Sequence, residues 1–373
     1  MKVALVHDFL TQYGGAEKVL LALHEIWPEA PVFTLFYDKK KLGDKFSAFG
    51  GDLEIKVSPI QNLPLALRFY RGYLALMPAA IERFNLSQYD LIFSDASSFA
   101  KGVITPSKSI HFSYLHCPTR FLWADTYEYL DSLKGIEKIL RKVIAPCLTA
   151  LRNWDFAAAQ RPQHLLCNSN FIKGEIKHFY HREAEVVYPP VETKNFFISR
   201  NLEKYFLLIG RFRSYKKIDL AIEAFNELGL PLKIIGGDKR EIRLRQGFGG
   251  PAGNIEFLGF VDEATKAKYL SRAQALIFPQ KEDFGIVAVE AQASGRPVIA
   301  FESGGALEII SEGETGLFFK EQTKESLVEA VKRFKDKDFD PEKIRENSLK
   351  FDKEVFKERI KKIVSYVWQN KFK

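Results

Sequence analysis

Glu282-Asp283-Phe284-Gly285-Ile286-Val287-Ala288-Val289-Glu290 is the stretch on which the reading of the whole chain turns. The apolar run Ala275–Phe278 before it reads as a buried strand, and Pro297–Ala300 after it reads as another. Between them, Ile286 to Ser294 has helix-forming character and meets no breaker until Gly295. Glu282 therefore falls in a loop at the carboxyl end of a strand. Gly285 lets the backbone come close to a ligand where the helix opens. Glu290 follows Glu282 by at most about 12 Å along a helix axis. The helix N-terminus beside them favours an anion, through its free N–H groups and its dipole. The competing reading is a strand-turn-helix whose two glutamates are ordinary solvated groups. The Phe284-Gly285 pair and the exit Gly295-Arg296-Pro297-Val298-Ile299 argue for the ligand site.

Outward from this stretch, apolar strand-like runs alternate with helix-like runs. Before position 189 the strands expected are Lys2–His7, Val32–Tyr37, Leu91–Ser94, Ile110–Leu115, His164–Asn168 and Ala184–Tyr188, with a first helix over Gly14–Ile26. The pattern restarts at Tyr205–Gly210 and continues through Leu232–Ile235, Ile255–Leu258, Ala275–Phe278 and Pro297–Ala300. Continuous apolar strands alternating with helices indicate parallel sheets buried on both faces, in doubly wound α/β domains. Pro189-Pro190 resists helix and sheet alike, so the domain boundary is placed there: 1–188, then 189–352, with a last helix over about 353–373. No cap for that last helix is evident. In such sheets ligands gather at the carboxyl ends of the strands.

A length of 373 residues suits two domains, and 46% hydrophobic with 27% charged residues suits a globular chain. No run approaches the length of a membrane-spanning helix, and Met1–Leu10 lacks the features of a signal peptide. Cys117, Cys147 and Cys167 fit neither a disulfide framework nor zinc spacing, so the simplest reading is a reducing, cytoplasmic setting. The net charge of +8 is shared by both halves, with 22 basic against 19 acidic residues up to position 188 and 33 against 28 beyond it. That spread argues against a nucleic-acid-binding arm and suits an anionic ligand or an anionic membrane surface.

The second half carries further motifs at strand ends. Gly210-Arg211 ends one strand, and Lys216 follows in the same loop before a helix over Ile218–Phe225. Arg offers a two-oxygen grip and Lys a compact charge, so the pair can converge on one diphosphate; the competing reading is a solvated basic loop. Gly236-Gly237, Gly259-Phe260-Val261 and Ser303-Gly304-Gly305 end three more strands. Glycines there permit close backbone approach to a nucleotide, and equally serve any tight turn.

Together these motifs resemble the retaining glycosyltransferases of the GT-B fold, family 4 in particular, over nearly the whole chain and most strongly from Arg211 to Phe319. The resemblance implies two doubly wound Rossmann-like domains facing across a cleft, with the C-terminal helix returning to the first domain. It implies that Glu282 meets the hydroxyls of the donor sugar. Phe284 and Gly285 would meet the phosphates through backbone N–H, and Glu290 the ribose hydroxyls. It places Arg211 and Lys216 on the leaving diphosphate, and the backbone of Phe260 and Val261 on the base. Lys217 stands where much of the family has glycine, and is kept as a second basic candidate.

In the first half, Gly14-Gly15 opens the first helix and resembles the family's Gly-Gly loop near the donor phosphates. It is not a dinucleotide fingerprint. The run Tyr114-Leu115-His116-Cys117-Pro118-Thr119-Arg120-Phe121-Leu122-Trp123 is similar to one found in polysaccharide mannosyltransferases of the family. His116 is therefore expected beside the transferred sugar, with Arg120 a candidate for an anionic acceptor. A structural histidine is the other reading. Pro64–Phe84, with Arg68, Arg71 and Arg83, and Lys134–Arg152 read either as helices packed on the core or as surfaces that rest on a membrane, the second interrupted by Pro146.

The expectation from the resemblance is transfer of a hexose from a nucleotide diphosphate sugar, GDP-mannose first and a UDP-sugar second. The acceptor would be a saccharide or a polyprenyl-linked glycan. No metal motif stands out, and the resemblance implies no bound metal or other cofactor. A nucleotide-sugar epimerase on the same fold and a non-catalytic sugar-nucleotide-binding scaffold are the alternatives.

Overall fold

The computed structural model describes residues 1–47, 53–132, 141–237 and 253–371. The chain divides into two compact units, Met1–Tyr188 with Lys357–Lys373, and Pro189–Phe356.

Among the described residues the first unit has seven parallel strands: β1 Val3–Leu10, β2 Val32–Tyr37, β3 Ile55–Val57, β4 Leu91–Ala96, β5 Ile110–Leu115, β6 His164–Cys167 and β7 Glu185–Val186. Their order is β3-β2-β1-β4-β5-β6-β7, so the winding reverses between β1 and β4. Register places His7 opposite Asp95 across those two strands. The apolar runs of β2, β4 and β5 are buried along almost their whole length, as parallel strands covered on both faces must be. The helices α1 Gly15–Ile26, α2 Arg141–Ala159 and α3 Asn170–Tyr180 belong to this unit. Aromatic rings fill much of its core, among them Phe93 stacked on Phe112 with centroids 5.9 Å apart.

Four expectations are corrected here. β1 runs on to Leu10, so Asp8 lies within the strand and not beyond it. The edge strand β3 was not expected, because its short Ile-Lys-Val run carries a charge at the centre. Pro64–Phe84 is no single helix but a succession of short turns, Ala66–Phe69, Tyr70–Leu76 and Met77–Glu82. Helix α2 runs through Pro146, which costs one internal hydrogen bond near the helix start without ending the helix.

Among the described residues the second unit has six parallel strands: β8 Phe206–Ile209, β9 Leu232–Ile235, β10 Ile255–Gly259, β11 Leu276–Phe278, β12 Val298–Phe301 and β13 Gly316–Phe319. Their order is β10-β9-β8-β11-β12-β13, again reversing at the centre, between β8 and β11. Its helices include α4 Ile218–Leu228, α5 Glu263–Arg272, α6 Ile286–Ala293 and α7 Lys324–Arg333. From Ala288 to Ala293 every residue of α6 is buried, as an apolar helix with no polar face requires.

The last helix, α8 Lys353–Asn370, begins with residues of the second unit and continues with residues of the first. Asp352 caps it by accepting the Glu354 N–H at 2.9 Å, a cap not recognised in the sequence. Phe356, Ile360 and Val364 recur every four residues and form its buried stripe. Lys357 pairs with Glu25 at 2.9 Å within the first unit.

Candidate active site

Each sheet reverses its strand order at one place, and the crevice outside the strand ends there is where ligands of doubly wound sheets bind. In both units that place holds charged side chains.

In the second unit, the loop after β8 carries Gly210, Arg211 and Lys216, and the loop after β11 carries Glu282. The two loops meet: Lys216 Nζ forms an ion pair with Glu282 Oε1, which also accepts from Gln280 Nε2 at 3.2 Å. Both side chains keep some solvent access, 15% for Lys216 and 22% for Glu282. Arg211 is exposed on the same loop. Beside them α6 opens at Gly285, whose φ of +114° few other residues adopt.

Glycine backbones hold these loops in place. A Cβ at Gly236 would stand 1.9 Å from the Gly210 carbonyl oxygen, and the Gly236 N–H donates to Gly259 at 2.8 Å. The closeness that glycine permits here is to the neighbouring loop of the same unit. Gly304 and Gly305 serve the acidic loop in the same way. A Cβ on either would strike the Glu282 or the Phe284 carbonyl, at 2.3 and 2.2 Å, and the Gly305 N–H donates to Glu282 O at 2.9 Å. Phe284 is buried and meets Phe351 edge-on at 5.3 Å, so its side chain anchors the loop. Phe260, by contrast, is 68% exposed just beyond β10, next to Val261.

Glu290 does not share the openness of Glu282. It is 1% exposed, and its Oε2 lies 2.8 Å from Lys266 Nζ, which reaches in from α5. The reading of both glutamates as solvated surface groups is therefore excluded for Glu290. Lys266 was not expected from the sequence; it sits in a polar helix with nothing to distinguish it from surface lysines. Lys217, where the resemblance leads one to expect glycine, adopts φ +50°, the left-handed conformation that glycine takes without strain.

In the first unit, Gly14 precedes α1 and Gly15 begins it, without a side-chain cap. Asp8 accepts four backbone N–H groups from Ser97 to Ala100 at 2.6–2.8 Å, and so ties down the loop after β4. Asp95, at the end of β4, takes His7 Nδ1 at 2.8 Å on one oxygen and His116 Nε2 at 2.6 Å on the other. Behind His7, Glu17 of α1 lies 3.8 Å from Nε2. Burial alone would lower the His7 pKa, but its hydrogen bond to Asp95 and its charge interactions with Asp95 and Glu17 outweigh burial and raise it to about 10. Burial likewise opposes ionisation of Asp95, and His116 and His7 overcome it, holding the carboxyl below its ordinary range. Arg120 pairs loosely with Asp125 at 3.7 Å on the surface. Two of its neighbours in the run are structural: Thr119 and Trp123 both donate to Asp155, which is buried against Lys101.

Residues 192–351 match the model of the family described as glycosyl transferases group 1. That part of the chain is similar to a glycosyltransferase domain. Alpha-1,3/1,6-mannosyltransferase ALG2 of Debaryomyces hansenii is 25% identical over 83% of this chain and 76% of that protein. The O-antigen chain mannosyltransferase C of Escherichia coli is 26% identical over 41% of this chain and 43% of its own. An uncharacterized glycosyltransferase of Methanocaldococcus jannaschii is 28% identical over 47% of this chain, and the match spans half of that relative. Among solved structures, Anabaena HepE in complex with UDP superposes with a TM-score of 0.72 at 16% identity, covering 98% of this chain and all of that one. Sucrose-phosphate synthase of Thermosynechococcus elongatus gives 0.73 at 16% identity over the same shares. The fold is GT-B.

Proposed function

We propose that this chain is a retaining glycosyltransferase of family 4 that moves a hexose from a nucleotide diphosphate sugar to a saccharide or polyprenyl-linked acceptor. The observation that carries the reading is the Lys216–Glu282 pair at the strand-order reversal of the second unit, beside the start of α6. A sugar phosphate presents hydroxyls and anionic oxygens side by side, and a carboxylate next to an ammonium matches that pattern. Glu282 would accept from the sugar hydroxyls. Lys216 and Arg211 would take the diphosphate as its charge grows in the transition state, with the N–H groups at Gly285 adding to them and no metal required. Phe260 and Val261 would receive the base. Glu290 would reach the ribose, its charge held meanwhile by Lys266. His116, just after β5 in the first unit, would meet a sugar hydroxyl.

GDP-mannose is the first donor in this reading, supported by the mannosyltransferases among the relatives. A UDP-sugar is the second, since HepE binds UDP. A thermal-shift panel of GDP, UDP, ADP and their sugar conjugates decides between them, because a ligand bound by the folded state raises the melting temperature. Transfer assays in the presence of a chelator test the metal-free reading, and loss of activity would reject it. Glu282→Ala should cut turnover by about 10²–10³-fold in a folded protein, as loss of one transition-state contact does. Unchanged turnover would remove Glu282 from the site.

For a lipid-linked acceptor, the first unit offers Leu65, Leu67, Phe69 and Leu76, all 40% exposed or more, with Arg68 and Arg71 exposed among them. Apolar groups beside arginines suit an anionic bilayer surface. Among the described residues no helix is long and apolar enough to cross a membrane. Cosedimentation with phosphatidylglycerol vesicles, lost in Leu65→Ser/Phe69→Ser, would support this contact. Binding that the double substitution leaves unchanged would remove it.

A further inference from the structure

Asp95 is shared by two imidazoles in a region where every participant but one is closed to solvent. His7 is 2% exposed, Glu17 3% and Asp95 1%, while the His116 side chain retains 13%. Three buried ionisable groups are a costly way to join two strands, since removing charges from water is repaid only by close pairing. A tie between β1 and β4 needs no charge, because the backbone ladder already joins them in register. What the charges do accomplish is to fix the fourth, partly open group.

The hydrogen bonds dictate the proton positions. Both nitrogens of His7 face carboxylates, so both carry protons, and the ring is a cation held between Asp95 and Glu17. An ionised Asp95 can only accept, so His116 must place a proton on Nε2. In the neutral ring Nδ1 is then a lone-pair acceptor. Among the described residues nothing hydrogen-bonds to it. The ring and its backbone are held from other sides as well. Tyr114 packs against it at 5.3 Å, the His116 N–H donates to Ala96, and its carbonyl accepts from Asn168 at 2.9 Å. This resembles the carboxylate–imidazole logic in which a buried acid sets the tautomer of a working histidine, reached here from a second imidazole and a second acid behind the first.

We propose that Asp95, clamped by the His7–Glu17 pair, is a positioning residue that locks His116 as the Nε2–H tautomer, so that its Nδ1 accepts a hydrogen bond from a sugar hydroxyl. The role of His116 rests on the glycosyltransferase reading above; the tautomer does not.

The test is long-range ¹H–¹⁵N correlation NMR of histidine-labelled protein, with the His116 signals assigned by their loss in His116→Gln. The wild type should show Nε2 protonated and Nδ1 bare. A proton on Nδ1 overturns the proposal whether or not any variant folds. Asp95→Ala should give a mixture of tautomers and lower kcat about 100-fold, with KM for the donor within about twofold. This is less than the roughly 10⁴-fold loss on neutralising the orienting acid of a serine-protease triad, because here the ring takes no proton from a nucleophile. His7→Gln should shift the tautomer in the same direction and lower kcat about tenfold, by loosening Asp95. A fall in melting temperature with the tautomer and kcat of the folded enzyme unchanged would make the cluster purely structural and sink the proposal. If the wild type transfers no sugar from any donor, the hydroxyl role falls together with the glycosyltransferase reading. The tautomer measurement then still decides the Asp95–His116 pairing alone.

Discussion

The two strand-order reversals hold charge in opposite ways. In the second unit Lys216 and Glu282 sit on loops, meet one to one, and keep contact with solvent. In the first unit His7 and Asp95 sit within strands, Glu17 on a helix, and all three are buried. A pair of the first kind can be exchanged for a ligand at small cost. A cluster of the second kind cannot be opened without leaving a charge unpaired in the interior. The loops of the second unit can therefore exchange partners, whereas the buried strand cluster of the first is fixed.

The sharpest way to break this contrast is to remove one carboxylate from each. Asp95→Ala should cost about 3–5 kcal/mol of stability in urea unfolding, as breaking a buried ion pair does. Glu282→Ala should cost no more than about 1 kcal/mol, the range of partly exposed pairs. Equal losses would erase the distinction. Gly305→Ala is the next largest, at about 1–3 kcal/mol for a side chain forced into a filled space. It should also lower turnover, because the clash is with the Phe284 backbone that carries the Glu282 loop.

pH provides a third probe. The His7 pKa, raised to about 10, gives the first unit stability that is complete below pH 6.5 and lost as pH rises through 10. His111 behaves oppositely: burial, with Arg161 nearby, lowers it to about 3, so stability is lost as pH falls from 6.5 towards 3. Melting temperature against pH should therefore fall on both sides of neutrality. His7→Gln should flatten the alkaline limb and His111→Phe the acid one; a limb that persists in its variant has another origin. The smallest effect belongs to Lys217→Gly, which should stabilise the second unit by about 1 kcal/mol by relieving a left-handed backbone. A loss of stability would show that the Lys217 side chain contributes more than its backbone costs.

The same contrast explains what could be read in the sequence. β2, β5 and β9 lie within the expected bounds, because buried parallel strands are continuous apolar runs. The Glu282–Glu290 stretch was legible as a strand-end loop and helix because its parts are contiguous. Asp95 and His7 were not, since 88 positions separate them and only the register of β1 on β4 brings them together. Both are polar residues at the carboxyl ends of otherwise apolar runs, and that was the available signal. Lys266 left no such mark. Gly304 and Gly305 were legible as a turn, but the carbonyls they clear space for lie on another loop. The Pro64–Phe84 stretch misled because its apolar residues suit a helix while its turns are set by packing.

Helix α8 makes the first unit discontinuous along the chain, since Lys357–Lys373 complete what Met1–Tyr188 begins. During synthesis the second unit must emerge in full before the last helix of the first is available. At about 5–20 residues per second that interval is on the order of 10–30 s. Through it the surface that receives Ile360 and Val364 has no cover, and Glu25 and Glu185 lack Lys357 and Arg359. A nascent chain stalled there offers chaperones a binding face that the finished molecule has hidden.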